Sequence, residues 1–65
     1  MIAVTRLGGA PVVVNAALIR TVEARPDTFV TLTDGERLIV CETPDEVVAK
    51  VVEYQRRVRL LTDAA

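Results

Sequence analysis

The side chains that carry most enzyme chemistry are scarce in this 65-residue chain, which contains no histidine and one cysteine, Cys41. Without histidine, a histidine-activated serine or cysteine nucleophile is excluded, and serine itself is also absent. A single thiolate does not make a zinc site, and neither glycine-rich phosphate-binding pattern occurs. We therefore expect a protein that is not an enzyme and that has no catalytic residue, no metal ligand and no cofactor.

The carboxylates that stand close together in the sequence are better explained by structure than by catalysis. Asp34 and Glu36 belong to a predicted turn, and Asp45 and Glu46 stand where a helix is predicted to begin. Because each pair has a structural place, paired acid–base catalysis is disfavoured. Cys41 is interpreted as a small, buried strand residue rather than a reactive thiol.

Charge and hydropathy disfavour two further classes of partner. Eight basic and nine acidic residues leave a net charge of −1 and a pI of about 5.2, which favours neither nucleic acid nor anionic membranes. The one basic patch, Arg56, Arg57 and Arg59, is interpreted as a solvated helix end. No apolar run approaches the roughly 20 residues needed for membrane insertion as a helix. No signal peptide is predicted, and a lone thiol fits a reducing compartment, so we expect a cytoplasmic protein.

The chain is organised around a hairpin predicted over residues 28–42. Two runs rich in β-branched and apolar residues are separated by Asp34 and Gly35, a pair typical of the two-residue type I′ turn. Gly35 is therefore expected to have a positive φ, and the short loop would place Val30 opposite Ile39. Both faces of this hairpin would need cover. One face would carry Val30, Leu32, Ile39 and Cys41, and the other would carry Phe29, Leu38 and Val40.

Three further strands are predicted ahead of this hairpin, at residues 2–7, 12–14 and 19–24. Pro26 and Asp27 are typical of a β-turn that leads into the hairpin. Asn15 is predicted to cap a single helical turn after the second strand, and an irregular corner is the alternative.

A change of hydrophobic period predicts a C-terminal helix. Thr43 and Glu46 form a capping box, with Pro44 at the first helical position. The stripe that follows is interpreted as cover for one sheet face, and a coiled-coil seam with another chain is the alternative. Its apolar residues recur at alternating spacings of four and three, at Val47, Val51, Tyr54, Val58 and Leu61.

Together these elements predict an α+β fold, with a small, curled antiparallel sheet of about five strands in a hairpin meander and one C-terminal α-helix. We expect a single domain over residues 1–62 and a frayed tail at residues 63–65. A core of this size rarely supplies more than about 3–5 kcal/mol of stability by itself. The single cysteine excludes a disulfide within the chain, so we expect a homo-oligomer.

A set of positions spread over all predicted elements shares its order and spacing with one known family. The most specific part is residues 26–32, Pro-Asp-Thr-Phe-Val-Thr-Leu, followed by Gly35. The whole set comprises Met1, Ile2, Thr5, Arg6, Leu7, Asn15, Leu18, Ile19, Glu23, Pro26, Asp27, Thr28, Thr31, Leu32, Gly35, Val40, Glu46 and Val47. In these residues the chain resembles the FlbD/SwrD family of small bacterial flagellar proteins, and the resemblance ends near Arg57.

The resemblance implies a non-catalytic accessory protein of flagellar motility that supports motor power through protein–protein contacts. Its partners would be flagellar motor or stator components, at the cytoplasmic side of the flagellar base. The alternative is a small RNA-binding post-transcriptional regulator similar to the carbon storage regulators, which also begin with a strand ending in Thr-Arg. Candidate partner-contact residues are charged positions that alternate away from apolar neighbours or lie opposite the helix stripe: Arg6, Arg20, Glu23, Arg25, Arg56 and Arg57.

Overall fold

The computed structural model describes the backbone of residues 1–63 and the side chains of residues 1–60. Five antiparallel strands precede one long helix, which confirms the predicted α+β class. The elements are β1 (Ile2–Thr5), β2 (Pro11–Val14), β3 (Ile19–Arg25), β4 (Asp27–Leu32), β5 (Arg37–Val40) and α1 (Pro44–Asp63), with a 3₁₀ turn at Ala16–Leu18.

The strands form two small sheets rather than one. β1 pairs with β2, and β3, β4 and β5 form a meander in chain order. The sheets meet where Arg6 forms an antiparallel bridge with Val40. The N–H of Leu7 donates to the carbonyl of Ile39 at 3.0 Å, and the N–H of Cys41 donates to that of Thr5 at 2.8 Å. The strands therefore curl around a common core without closing into a barrel.

The connections before the central hairpin follow from local chemistry. Asn15 caps the 3₁₀ turn, because its side-chain oxygen accepts the N–H of Ala17 at 3.0 Å. The helical turn predicted at this corner is therefore present. β3 and β4 are joined through Pro26 alone, with Arg25 paired opposite Asp27, so the predicted reversal lies at the expected place.

The turn between β4 and β5 differs from the predicted two-residue type I′ turn. Gly35 has the expected positive φ, at 90°, but Asp34 does not share it. The N–H of Gly35 donates to the carbonyl of Leu32 at 2.9 Å, and the N–H of Leu32 donates to that of Glu36 at 2.8 Å. This is a three-residue loop in which a turn is followed by a left-handed glycine. The carboxylate of Asp34 stabilises it by accepting the N–H of Glu36 at 2.9 Å.

The extra loop residue shifts the predicted register by one, so the residues of β5 change faces relative to those of β4. Val30 lies opposite Leu38 rather than Ile39. Val30, Leu38 and Val40 consequently share the buried face, so the prediction that separated them was wrong. Cys41 is exposed, and its predicted burial was also wrong.

The core lies between the inner faces of both sheets and the first turns of α1. Val30 and Val47 are its largest fully buried side chains, and Thr28 is a buried polar residue beside them. The helix packs on β1 and β3. Seven buried apolar residues form the core: Ile2, Val4, Val14, Val30, Leu38, Val40 and Val47.

Helix α1 begins with the predicted capping box. The N–H of Thr43 donates to the Glu46 carboxylate at 3.0 Å, and the N–H of Glu46 donates to the Thr43 hydroxyl at 3.2 Å. The predicted apolar stripe is covered only in its first half, because Tyr54 and Val58 are exposed. The side chain of Leu61 and residues 64 and 65 of the predicted tail lie outside the described part of the chain.

Candidate functional site

The sheet face that points away from the core carries a shallow depression of about 300 Å³. Since Val30 and Leu38 point inward, their neighbours along the strands point outward. The residues that line the depression come from three adjacent strands and are called the outer face below. They are Glu23 and Arg25 from β3, Phe29 and Thr31 from β4, and Arg37 from β5.

The outer face combines one aromatic ring with charged groups. Phe29 is half-buried and lies opposite Glu23 on one side and Ile39 on the other. Arg25 Nε lies 2.9 Å from Glu23 Oε2, with both side chains largely exposed, so this ion pair contributes little stability. Arg37 is exposed and forms no side-chain ion pair or hydrogen bond within the described residues.

The outer face carries groups that are suited to binding. It offers guanidinium donors, a threonine hydroxyl and an aromatic surface. Aromatic and arginine side chains are enriched in protein interfaces. Among the described residues, no group of three or more histidine, cysteine or acidic side chains could hold a metal ion.

Only two of the six predicted contact residues lie together on this face, namely Glu23 and Arg25. Arg20 is exposed at an irregularity of β3, where the register shifts between Ile19 and Thr21. Arg6 is exposed directly after β1, at the residue that bridges to Val40.

The other two predicted contact residues, Arg56 and Arg57, lie on α1. Arg57 Nε lies 3.2 Å from Glu53 Oε1 in a surface ion pair four residues apart. The six residues are thus distributed over four parts of the molecule, and their role in partner contact remains a prediction.

Sequence reasoning missed Phe29, Thr31 and Arg37 as surface partners of Glu23. The predicted two-residue loop placed Thr31 opposite Leu38 rather than opposite Arg37, its neighbour in the structure. A three-residue loop ending in Gly35 would have revealed the group, because strand alternation then brings Phe29, Thr31 and Arg37 to one side.

A second polar contact, between Glu42 and Thr5, holds the two sheets together. Both carboxylate oxygens of Glu42 accept the N–H of Thr5, at 2.9 and 3.1 Å, and one also accepts its hydroxyl at 3.1 Å. Hydrogen bonding from the Thr5 backbone N–H is the main reason that the pKa of Glu42 is lowered from its usual 4.5. The contact links the end of β1 to the junction between β5 and α1. The Glu42 carboxylate and the Thr5 donors are engaged with one another, which favours a structural role for this contact.

The surface of α1 carries both charged and apolar side chains. Within the described residues, no helix is long and apolar enough to cross a membrane. Tyr54, Lys50 and Arg57 border an open groove of about 340 Å³ between α1 and Met1 at the start of β1. Other exposed apolar side chains of α1 include Val48, Val52 and Leu60.

Comparison with known proteins identifies the family. No curated protein and no solved structure matches the chain. The family model FlbD, described as flagellar and swarming motility proteins, matches residues 1–59. This match includes all five strands, the outer face and most of α1. The chain therefore belongs to the FlbD family of flagellar and swarming motility proteins.

Proposed function

We propose that this motility protein is a non-catalytic accessory that supports the power of the flagellar motor by contacting a motor or stator component through its outer face. The observation that carries the proposal is the family match over residues 1–59. The match includes the outer face, whose phenylalanine and arginine side chains are of the types enriched in protein interfaces.

The described side chains that line the outer face do not belong to the buried core cluster. Val30 and Leu38 hold β4 and β5 to the core from the inner face, whereas Arg25 and Arg37 project from the opposite side. A phenylalanine beside exposed arginines is typical of an interface centre, where an aromatic side chain supplies area and guanidinium groups supply directional donors.

Charge suggests the chemistry of the partner. The outer face carries two arginines and one glutamate, and Glu23 already pairs with Arg25. Arg37 is therefore available to an acidic side chain of the partner, with an apolar group resting on Phe29. We place this contact at the cytoplasmic side of the flagellar base.

The first experiment is deletion of the gene, followed by counting of filaments and measurement of their rotation. We expect filaments to assemble and to rotate with reduced power. Normal rotation would remove the motor function, and absent filaments would move the role to assembly or gene regulation.

The second experiment locates the contact by charge reversal. Arg37→Glu on the outer face is compared with Arg20→Glu and Arg56→Glu, which lie on the β3 irregularity and on α1. All three side chains are exposed, so each change is expected to alter stability by less than about 0.5 kcal/mol. If the partner binds the outer face, Arg37→Glu should cause the largest motility defect of the three. A larger defect from Arg20→Glu or Arg56→Glu would assign the contact to a different surface.

The comparisons give no support to the RNA-binding alternative. A mobility-shift assay at low salt tests it directly, since phosphate contacts strengthen as salt is lowered.

A further inference from the structure

The second half of helix α1 has little cover from its own chain. Its 20 residues correspond to a length of about 30 Å, in a molecule that measures 41 × 22 × 19 Å. Val47 is fully buried and Val51 half-buried, whereas Tyr54 and Val58 are 37% and 43% exposed. Short helical segments depend on tertiary packing more than on helix propensity. Residues 54–60, called the projecting half below, would therefore be stabilised by further cover.

An apolar groove lies beside the covered half of the same helix. Its volume is about 300 Å³, and it separates α1 from β3 and the 3₁₀ turn. Val48 and Val52 remain 53% and 46% exposed along it. The apolar residues that line the groove are Ala16, Ile19, Val22, Val47, Val48, Val51 and Val52.

The charges on α1 indicate what fits this groove. Residues 44–53 contain three acidic side chains and one lysine, for a net charge of −2. The projecting half contains three arginines and no acidic residue, for a net charge of +3. An antiparallel pair of these helices would bring each basic half beside an acidic half, and the two helix dipoles would also oppose one another favourably.

We infer that the occupant is a second copy of this chain, in a two-fold symmetric dimer. The projecting half of each α1 lies along the apolar groove of the other subunit, with Val52 near the two-fold axis. A two-fold interface must be self-complementary, and the opposite charges of the two halves satisfy this requirement.

The size of the contact sets its expected strength. A stable interface of ordinary size buries about 800 Å² on each partner, about a sixth of the 4740 Å² surface of this molecule. One helix pair and its groove lie at the low end of that range, so we expect a dissociation constant in the micromolar range.

This inference is independent of the proposed motor function. The groove lies beside α1 on the core side of the sheet, and the outer face points the other way. A dimer would therefore leave both outer faces accessible.

The test uses the full chain and two matched substitutions. Val52→Glu introduces a charge into the groove, and Val13→Glu introduces the same charge at a valine of β2 that is 65% exposed and does not line the groove. Masses are measured by sedimentation equilibrium from about 1 to 300 μM, a range that brackets micromolar affinity. Circular dichroism establishes that each variant is folded.

We expect the wild-type mass to rise from 7.1 kDa to twice that value, Val52→Glu to weaken dimerisation at least tenfold, and Val13→Glu to leave it unchanged. A wild-type chain that stays monomeric would overturn the inference. So would a folded Val52→Glu variant that dimerises as the wild type does, or an equal loss in Val13→Glu.

Disulfide trapping tests the antiparallel arrangement in a Cys41→Ser background. Asp45→Cys and Arg59→Cys chains are mixed and oxidised. The antiparallel pair predicts mainly the mixed disulfide, because residue 45 of one copy lies near residue 59 of the other. Predominant pairing of residue 59 with its own copy would show a parallel or unrelated association and would overturn the proposed geometry.

Discussion

Replacement of Glu42 by glutamine tests the contact that joins the two sheets. Glu42→Gln keeps one oxygen that can accept the N–H of Thr5 but loses the charge and the second acceptor. Hydrogen bonds to charged groups contribute about 1.5–3 kcal/mol and neutral ones about 0.5–1.5 kcal/mol. Since Glu42 is only half-buried, we take the lower part of the difference and expect a loss of about 1 kcal/mol. For a domain of this size, that lowers Tm by roughly 4–8 °C.

The effect should depend on pH in a defined direction. Because folding lowers the pKa of Glu42 below its usual 4.5, its stabilising contribution is fully present above that value. It is lost as the pH falls through the lower, folded-state pKa. The stability difference between wild type and Glu42→Gln should therefore be largest near neutral pH and should close in strong acid.

The assay is thermal and urea unfolding of both proteins at neutral pH and in acid, with Glu36→Gln as the control. Glu36 is an exposed turn residue whose carboxylate forms no hydrogen bond or ion pair within the described residues. We expect that control to change stability by less than about 0.5 kcal/mol. Two results would refute the role assigned to Glu42. One is an equal free energy of unfolding for Glu42→Gln and Glu36→Gln at neutral pH, and the other is a stability difference between wild type and Glu42→Gln that persists in acid.

Three further predictions concern individual turns and side chains. Gly35→Val should destabilise the fold by about 1–3 kcal/mol, because the φ of 90° at this position is strained for a β-branched residue, although no atom would clash. Gly8→Val is the control, since Gly8 has no positive φ. Equal urea midpoints for the two variants would contradict the turn geometry assigned to Gly35. Thr43→Ala should cost about 1 kcal/mol by removing the helix cap, and unchanged thermal stability would show that the cap contributes nothing. The thiol of Cys41 should react with a thiol reagent in the folded protein without denaturant, since it is exposed, and reaction only after unfolding would contradict its placement.

Local signals predicted the ends of elements well because the deciding atoms lie within a few residues of one another. The hydroxyl of Thr43 and the carboxylate of Glu46 exchange hydrogen bonds over three residues. Asn15 caps its turn over two. Such contacts depend on little beyond the residue types and their spacing, so the sequence alone suffices.

The hairpin register could not be predicted in the same way. Asp34-Gly35 is compatible with a two-residue loop and with a three-residue loop, because both place Gly35 at positive φ. The choice depends on whether Asp34 also adopts a positive φ, and it does not. The resulting loop length sets which residues of β5 share a face with Val30 and which share a face with Phe29, and with it the composition of the outer face.

The helix stripe was predicted from its period, but periodicity does not show how far the covering sheet extends. Val47 and Tyr54 occupy equivalent positions in the repeat, yet Val47 is fully buried and Tyr54 is 37% exposed. The helix packs on β1 and β3, and even the longer strand, β3, has seven residues, about 23 Å. A helix of about 30 Å therefore extends past its own sheet. The same pattern thus encodes core packing in its first half, and in its second half it leaves apolar side chains exposed.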